Sequence, residues 1–289
     1  MKELEGTGVA LITPFNKEGA VDFDGLGNLL NFIKDHVDYY VVHGTTGEAA
    51  TTTADEKKEI LDFVKANNPN KLPVVVGIGG NNTAAILDNI KSTDFSGISA
   101  LLSVSPYYNK PSQRGIIAHY ETIANAAPVP VILYNVPGRT GSNLAVETTL
   151  TLAQHPNIIG VKEASGDISQ CMRIATKKPE DFLLISGDDV ITGPMIACGG
   201  NGVISVLANG FPVEMTGITS AALKGDFVQS NNWCHKLLDI NPLMFEESNP
   251  VGIKEVLKLK KVCGNQVRLP LVAASEALSQ RITEKLKRT

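Results

Sequence analysis

Residues 157–167 read NIIGVKEASGD and set a lysine at the end of an apolar run. Ile158, Ile159 and Val161 make the run with Gly160 among them; Pro156 precedes it and Ser165-Gly166-Asp167 follow. So short a run between turn formers predicts a buried parallel strand, with Asp167 as the N-cap of the next helix. Lys162 falls near the C-terminal end of that strand. An ammonium among apolar walls loses hydration, and the neutral amine favoured in its place is a nucleophile that forms a Schiff base with a carbonyl. The competing reading is a strand-end lysine that extends its head to water and serves structure only. The rest of the chain has to decide.

Outward from this stretch, short β-rich runs alternate with helical periodicity eight times. The predicted strands cover residues 8–13, 39–43, 73–78, 98–104, 129–134, 158–162, 182–186 and 202–206, each followed by a helix. In the first helix Leu26, Leu29, Leu30 and Ile33 recur at helical spacing; the second opens on a capping box, Thr53 with Glu56, and carries Ile60, Leu61 and Val64. Asn82, Ser112 and Asp189 read as caps of later helices. Eight such units suit a closed (β/α)8 TIM barrel better than an open sheet with two edges and a change of strand order. After Gly225 the strand-like runs stop, and helical stretches at 227–240, 251–262 and 271–286 remain, punctuated by Pro242, Pro250 and Pro270. The expected organisation is therefore an α/β catalytic barrel over 1–224 and a C-terminal three-helix appendage over 225–289.

At 289 residues and 43% hydrophobic content the chain can bury a large core. A net charge of −4 with no dense basic run excludes a nucleic-acid footprint. No apolar stretch approaches the ~18 residues of a membrane span, and residues 1–5 lack a signal-peptide core, so a cytoplasmic location is expected. The four cysteines, Cys171, Cys198, Cys234 and Cys263, are too scattered for a CxxC pair and read as reduced. The five histidines show no metal-ligand spacing, so no metal is expected.

Barrels of this kind place their chemistry at the C-terminal ends of the strands. There the sequence sets Gly44-Thr45-Thr46-Gly47-Glu48, whose amides and hydroxyls suit a carboxylate, or which is an ordinary glycine-rich turn. Next come Tyr107 and Tyr108 in a proline-flanked loop; adjacent residues point apart, so one can enter the site while the other packs elsewhere. The fifth loop carries Tyr134, able to pass protons, and Arg139, able to grip a carboxylate with two hydrogen bonds or to remain a solvated arginine. Residues 77–80, GIGG, match only a fragment of a dinucleotide fingerprint.

Together these segments resemble the dihydrodipicolinate synthase and N-acetylneuraminate lyase family of Schiff-base barrels. The markers are GTTGE at 44–48, SPYYNKP at 105–111, YNVPGRT at 134–140, GVKEASGD at 160–167 and ESNP at 247–250, in family order over nearly the whole chain. GTTGE and Arg139 resemble the synthase branch, since the sialic-acid lyases lack that arginine. The resemblance implies that Lys162 forms an imine with pyruvate, and that the derived enamine attacks the aldehyde of L-aspartate 4-semialdehyde, in lysine and diaminopimelate biosynthesis. It implies that Tyr134 relays protons through Thr45 to Tyr108 of a neighbouring subunit, because a free phenol of pKa ~10 needs such help at neutral pH. Thr45 and Thr46 would hold the pyruvate carboxylate, Arg139 that of the semialdehyde, and Gly187 and Ile204 would line the pocket. No cofactor is implied, and the assembly implied is a homotetramer of two dimers. The alternatives are an aldolase of the same family acting on a 2-keto-3-deoxy acid or sialic acid, and a binding barrel without turnover. Members inhibited by lysine hold it at positions that here read Ala49, Ala50, Ala54, Lys57, Asn81, Ala85 and Tyr107, so weak feedback by L-lysine is expected, with Glu56 the acid placed to restore it.

Overall fold

The computed structural model describes residues 2–287; Met1, Arg288 and Thr289 lie outside the described residues. Eight strands close into a parallel barrel in chain order: β1 (Gly6–Ala10), β2 (Tyr39–Val42), β3 (Val74–Gly77), β4 (Ala100–Val104), β5 (Val131–Asn135), β6 (Ile158–Glu163), β7 (Leu183–Ser186) and β8 (Gly202–Ser205). The helices of its outer layer are α1 (Phe23–Ile33), α2 (Ala54–Ala66), α3 (Thr83–Ser92), α4 (Gln113–Ala126), the single turn α5 (Pro137–Thr140), α6 (Val146–Leu152), α7 (Ile168–Ala175), α8 (Thr192–Ala197) and α9 (Pro212–Leu223). Beyond them lie α10 (Phe227–Leu237), α11 (Val251–Leu259) and α12 (Glu276–Leu286). The expected (β/α)8 architecture with C-terminal helices is the one observed.

Alternation of side chains along each strand divides the core in two. One apolar cluster fills the barrel, with Tyr39, Val41, Val75, Leu102, Ile132, Leu183, Ile185 and Ile204 among its members. A larger one lies between strands and helices and takes in Leu26, Leu29, Leu30 and Ile33 from α1 and Ile60, Leu61 and Val64 from α2. The interior is tight enough to dictate glycine. At Gly160 a Cβ would lie 2.8 Å from Leu183 Cβ, which explains a glycine inside the apolar run that carries Lys162. The pairing of β5 with β6 passes over Ile159, since Val131 pairs with Ile158 and Ile132 with Gly160. That irregularity sets the phase that sends Gly160 and Lys162 inward.

The predicted caps at Thr53, Asn82, Ser112 and Asp167 all form, the first as a full capping box with Glu56. Asp189 does not cap α8. Its Oδ2 instead accepts from the backbone N–H groups of Val206 and Leu207, after β8, while Asp188 makes the local turn by accepting from Val190 N. The first strand begins and ends earlier than the predicted 8–13; Leu11 N still bonds Val41 O, but the chain then turns inward toward Gly47. The stretch at 271–275 precedes α12 instead of joining it, because the Ser275 side chain accepts from Leu278 N and starts the helix there.

Burial pushes the imidazoles of His43 and His119 down to about 4. Both are neutral in the folded chain but protonate in the unfolded chain below the ordinary 6.5, so the stability they contribute is present above pH 6.5 and lost as pH falls toward 4. Asp189, pushed up to about 6 by burial, acts in the opposite sense, since its contribution is lost as pH rises from 3.8 to 6. Two imidazoles outweigh one carboxyl. A net loss on the order of a few kcal/mol is expected between pH 6.5 and 4.5; urea midpoints that stay level over that range would contradict it.

Candidate active site

At the C-terminal ends of the strands a cavity of about 260 Å³ opens, slightly under the ~300 Å³ at which small-molecule pockets usually begin. Its lining includes Thr45, Thr46, Tyr134, Arg139, Lys162, Gly187 and Ile204. Tyr134 and Lys162 are register partners on β5 and β6, so both enter the barrel at one level. Lys162 is 6% exposed and its Nζ stands 4.4 Å from the centre of the Tyr134 ring, where the π face attracts a cation. Gly187 makes room for the lysine. A Cβ there would fall 2.6 Å from Ala164 Cβ and 3.0 Å from Lys162 Cε, so any larger residue presses on the amine-bearing chain.

The loop after β2 turns through a 3-10 segment, Thr45–Gly47, and ends with Glu48 in the left-handed region at φ 52°. Thr13 Oγ1 donates to Gly47 O at 2.7 Å, and Thr46 Oγ1 accepts from Asn249 Nδ2 at 3.0 Å. Accepting that bond leaves the Thr46 hydroxyl hydrogen for another acceptor, which suits a carboxylate. Arg139 projects from the exposed turn α5, after Pro137. Tyr108 is not part of the lining: it is 89% exposed, at φ 72°, while Tyr107 is 42% exposed.

Several residues at this site are given no role by the sequence. Asn241, Phe245 and Asn249 line the cavity from the segment between α10 and α11, and Asp188 supplies an acidic side chain. The ESNP motif contains Asn249, but its bond to Thr46 spans 203 positions. The same C-terminal segment holds the GTTGE loop through buried charge. Glu48 Oε1 pairs with Lys254 Nζ, Glu48 Oε2 accepts from Arg268 N at 3.0 Å, and Lys254 Nζ also donates to Gln266 O at 2.7 Å. Burial draws the Lys254 ammonium below the usual lysine range, and the Glu48 carboxylate works against that shift. Arg268 meanwhile grips both oxygens of Glu56, which with the Thr53 cap commits that carboxylate and holds it down near 2. Among the described residues no group of three His, Cys, Asp or Glu side chains comes together in a way that could hold a metal.

The model of the dihydrodipicolinate synthetase family matches residues 3–289. A 4-hydroxy-tetrahydrodipicolinate synthase of Cytophaga hutchinsonii is 48% identical over 285 residues, covering 98% of this chain and 96% of that protein. The crystal structure of dihydrodipicolinate synthase from Aquifex aeolicus has a TM-score of 0.94 at 37% identity, covering 98% of this chain and 97% of that one. A structure described as the first monomeric dihydrodipicolinate synthase variant has a TM-score of 0.95 at 35% identity, covering 99% and 97%.

Lys254 and Glu48 are 0% and 3% exposed at their side chains, so removing one partner strands a buried charge. Lys254→Met is expected to cost roughly 3–5 kcal/mol, and adding Glu48→Gln should restore part of it. Chemical denaturation of the three proteins measures this, and a single-variant loss under about 1 kcal/mol, the range of exposed pairs, would show that the pair is not buried as described.

Proposed function

The chain belongs to the dihydrodipicolinate synthetase family, and from that premise we propose that it condenses pyruvate with L-aspartate 4-semialdehyde to 4-hydroxy-tetrahydrodipicolinate, a lyase-class step of lysine and diaminopimelate biosynthesis. The observation that carries the reading is a single buried amine, Lys162, in a cavity that also presents Thr45, Thr46 and Arg139 for two carboxylates. The amine adds to the keto carbon of pyruvate, and loss of water gives a protonated imine. A proton then leaves the methyl carbon, and the resulting enamine attacks the aldehyde carbon of the second substrate. The amino group of the condensed chain finally adds to the imine carbon and displaces Lys162, closing the ring.

Tyr134 beside the amine is the proton carrier, relayed through Thr45. Thr46 binds the pyruvate carboxylate, Arg139 binds that of the semialdehyde, and Gly187 and Ile204 shape the floor. A 2-keto-3-deoxy acid or sialic acid as substrate is disfavoured by Arg139, which fits a second short acid; Asp188 adds an acceptor for the ammonium of an amino-aldehyde. Tyr108 completes the relay from a second copy of the chain, in a dimer that pairs again into a tetramer. A tyrosine ring 89% exposed on a backbone of positive φ supports that reading, because such a ring is ordinarily covered. The reaction belongs to the cytoplasm, and no helix of the described residues is long and apolar enough to cross a membrane.

Borohydride reduction with pyruvate should add one pyruvyl-derived mass to the peptide containing Lys162, and a label elsewhere or none would sink the assignment. In condensation of pyruvate with the semialdehyde, coupled to a reductase that consumes the product, Tyr108→Phe and Lys162→Ala chains should each be nearly inactive, and re-formed mixed dimers should regain one site; without recovery, Tyr108 acts within its own chain or not at all.

Feedback by L-lysine should be weak. Lys57 presents a like charge to the lysine side chain, Ala85 supplies no carboxylate, and Glu56 is held by Arg268 and the Thr53 cap. Half-inhibition of initial rates below roughly 1 mM, about −4 kcal/mol of binding, would refute this.

A further inference from the structure

Behind the Tyr134–Lys162 pair lies a second register pair one residue along each strand, Asn135 opposite Glu163. Alternation sends the first pair into the barrel and the second into the layer beneath the helices, where Asn135 is 0% and Glu163 1% exposed. Glu163 Oε1 accepts from Ser165 N at 2.8 Å and Oε2 from Gln170 Nε2 at 2.9 Å, while Asn135 Nδ2 lies 3.0 Å from both oxygens. These donors are themselves fixed: Leu144 N donates to Asn135 Oδ1 at 2.9 Å, and Asn143 Nδ2 to Gln170 Oε1 at 2.8 Å. Every donor to the carboxylate is an uncharged amide. Gln170 lies in the first turn of α7, whose positive end is the other source of relief for the charge.

An acidic side chain in such a place is costly without a cationic partner, and an apolar or amide residue of similar volume would fill the space at less cost. The network also does not absorb its field. The Cys171 thiol on α7 is pushed up to about 12 by burial first, with Glu163 and then Asp167 adding to the shift. The opposite face of β6 carries Lys162, one residue away and shielded from water, so little solvent screens the two from each other.

We propose that Glu163 is a positioning residue for Lys162 that acts also through its charge: the amide clamp holds β5 and β6 in the register that sets Lys162 beside Tyr134, and the carboxylate favours the cationic imine. The proposal rests on the Schiff-base reading above. When the lysine amine has added to the keto carbon, the carbinolamine hydroxyl takes a proton from the Tyr134 relay and leaves as water while the nitrogen lone pair forms the C=N⁺ bond. Glu163 neither gives nor takes a proton in that step; it lowers the energy of the positive charge that appears.

The test compares wild type, Glu163→Gln and Glu163→Asp for the time course of borohydride trapping with pyruvate, for kcat and both KM values, and for thermal unfolding. Glu163→Gln removes the charge at nearly constant shape, whereas Glu163→Asp keeps the charge and shortens its reach. Trapping by Glu163→Gln is expected to slow by roughly tenfold to a hundredfold, less than the loss of a donor in direct contact with the reacting atoms, with a parallel fall in kcat and little change in the semialdehyde KM. Glu163→Asp, although less stable, should trap within about threefold of wild type, a retention that follows from keeping the charge. Gln170→Lys supplies a counter-charge while leaving Glu163 in place, and it should slow trapping as Glu163→Gln does even if that variant fails to fold. Equal slowing of the Gln and Asp variants, or wild-type trapping by Glu163→Gln or Gln170→Lys, overturns the proposal. No label in the wild-type protein overturns the Schiff-base reading itself, and this inference with it.

Discussion

Closure of the sheet between its last strand and its first is the constraint on which the rest depends. Gly6 pairs with Gly202, both at positive φ, and a Cβ on Gly202 would lie 2.1 Å from Gly6 O. Only glycine permits so close a backbone approach in that conformation. Once the seam is shut, no edge remains, and each strand's inward residues are committed to one packed interior. Tyr39 spans part of that interior against Gly8, where a Cβ would meet its ring at 2.2 Å. Lys162 and Tyr134 stand together as register partners on neighbouring strands, and closure is what commits both to the one interior.

Three buried charges around the site are accommodated in three ways. Lys254 has a full ionic partner in Glu48 and lies 4.3 Å from the Phe15 ring centre, a fixed arrangement suited to holding a loop. Glu163 has amides alone, which satisfy its oxygens but leave its field outside the network. Lys162 has an aromatic face and a cavity, the least committed of the three and the one best placed to change its bonding. The gradation follows from chemistry: a structural charge is best neutralised, whereas a reacting one must stay available.

The segment after α10 has a part in this arrangement that its helical periodicity conceals. Asn249 holds Thr46, Lys254 holds Glu48, and Arg268 holds Glu56 together with the carbonyls of Gly19 and Thr51. The loop after β2 is thus fixed from outside the barrel, by residues more than 200 positions away in the sequence. A glycine-rich turn alone would not hold two threonines toward one cavity.

The architecture was legible in the chain, because strand and helix periodicities are local and repeat eight times. The sequence also located Lys162 near a strand end, Arg139 on the loop after β5, and the caps at Thr53, Asn82, Ser112 and Asp167, since each depends on neighbours within a few residues, whereas Tyr134, read as part of that loop, stands in β5 itself. Where a role depended on distant groups, the local reading failed: Asp189 looks like a cap but serves the turn after β8, and Glu163 is one letter in a motif until Asn135 and Gln170 surround it. The cavity wall contributed by Asn241 and Phe245, the hold of Asn249 on Thr46, and the burial of Glu48 against Lys254 emerge only in the folded chain, for contacts between residues hundreds of positions apart leave no periodic trace in the chain.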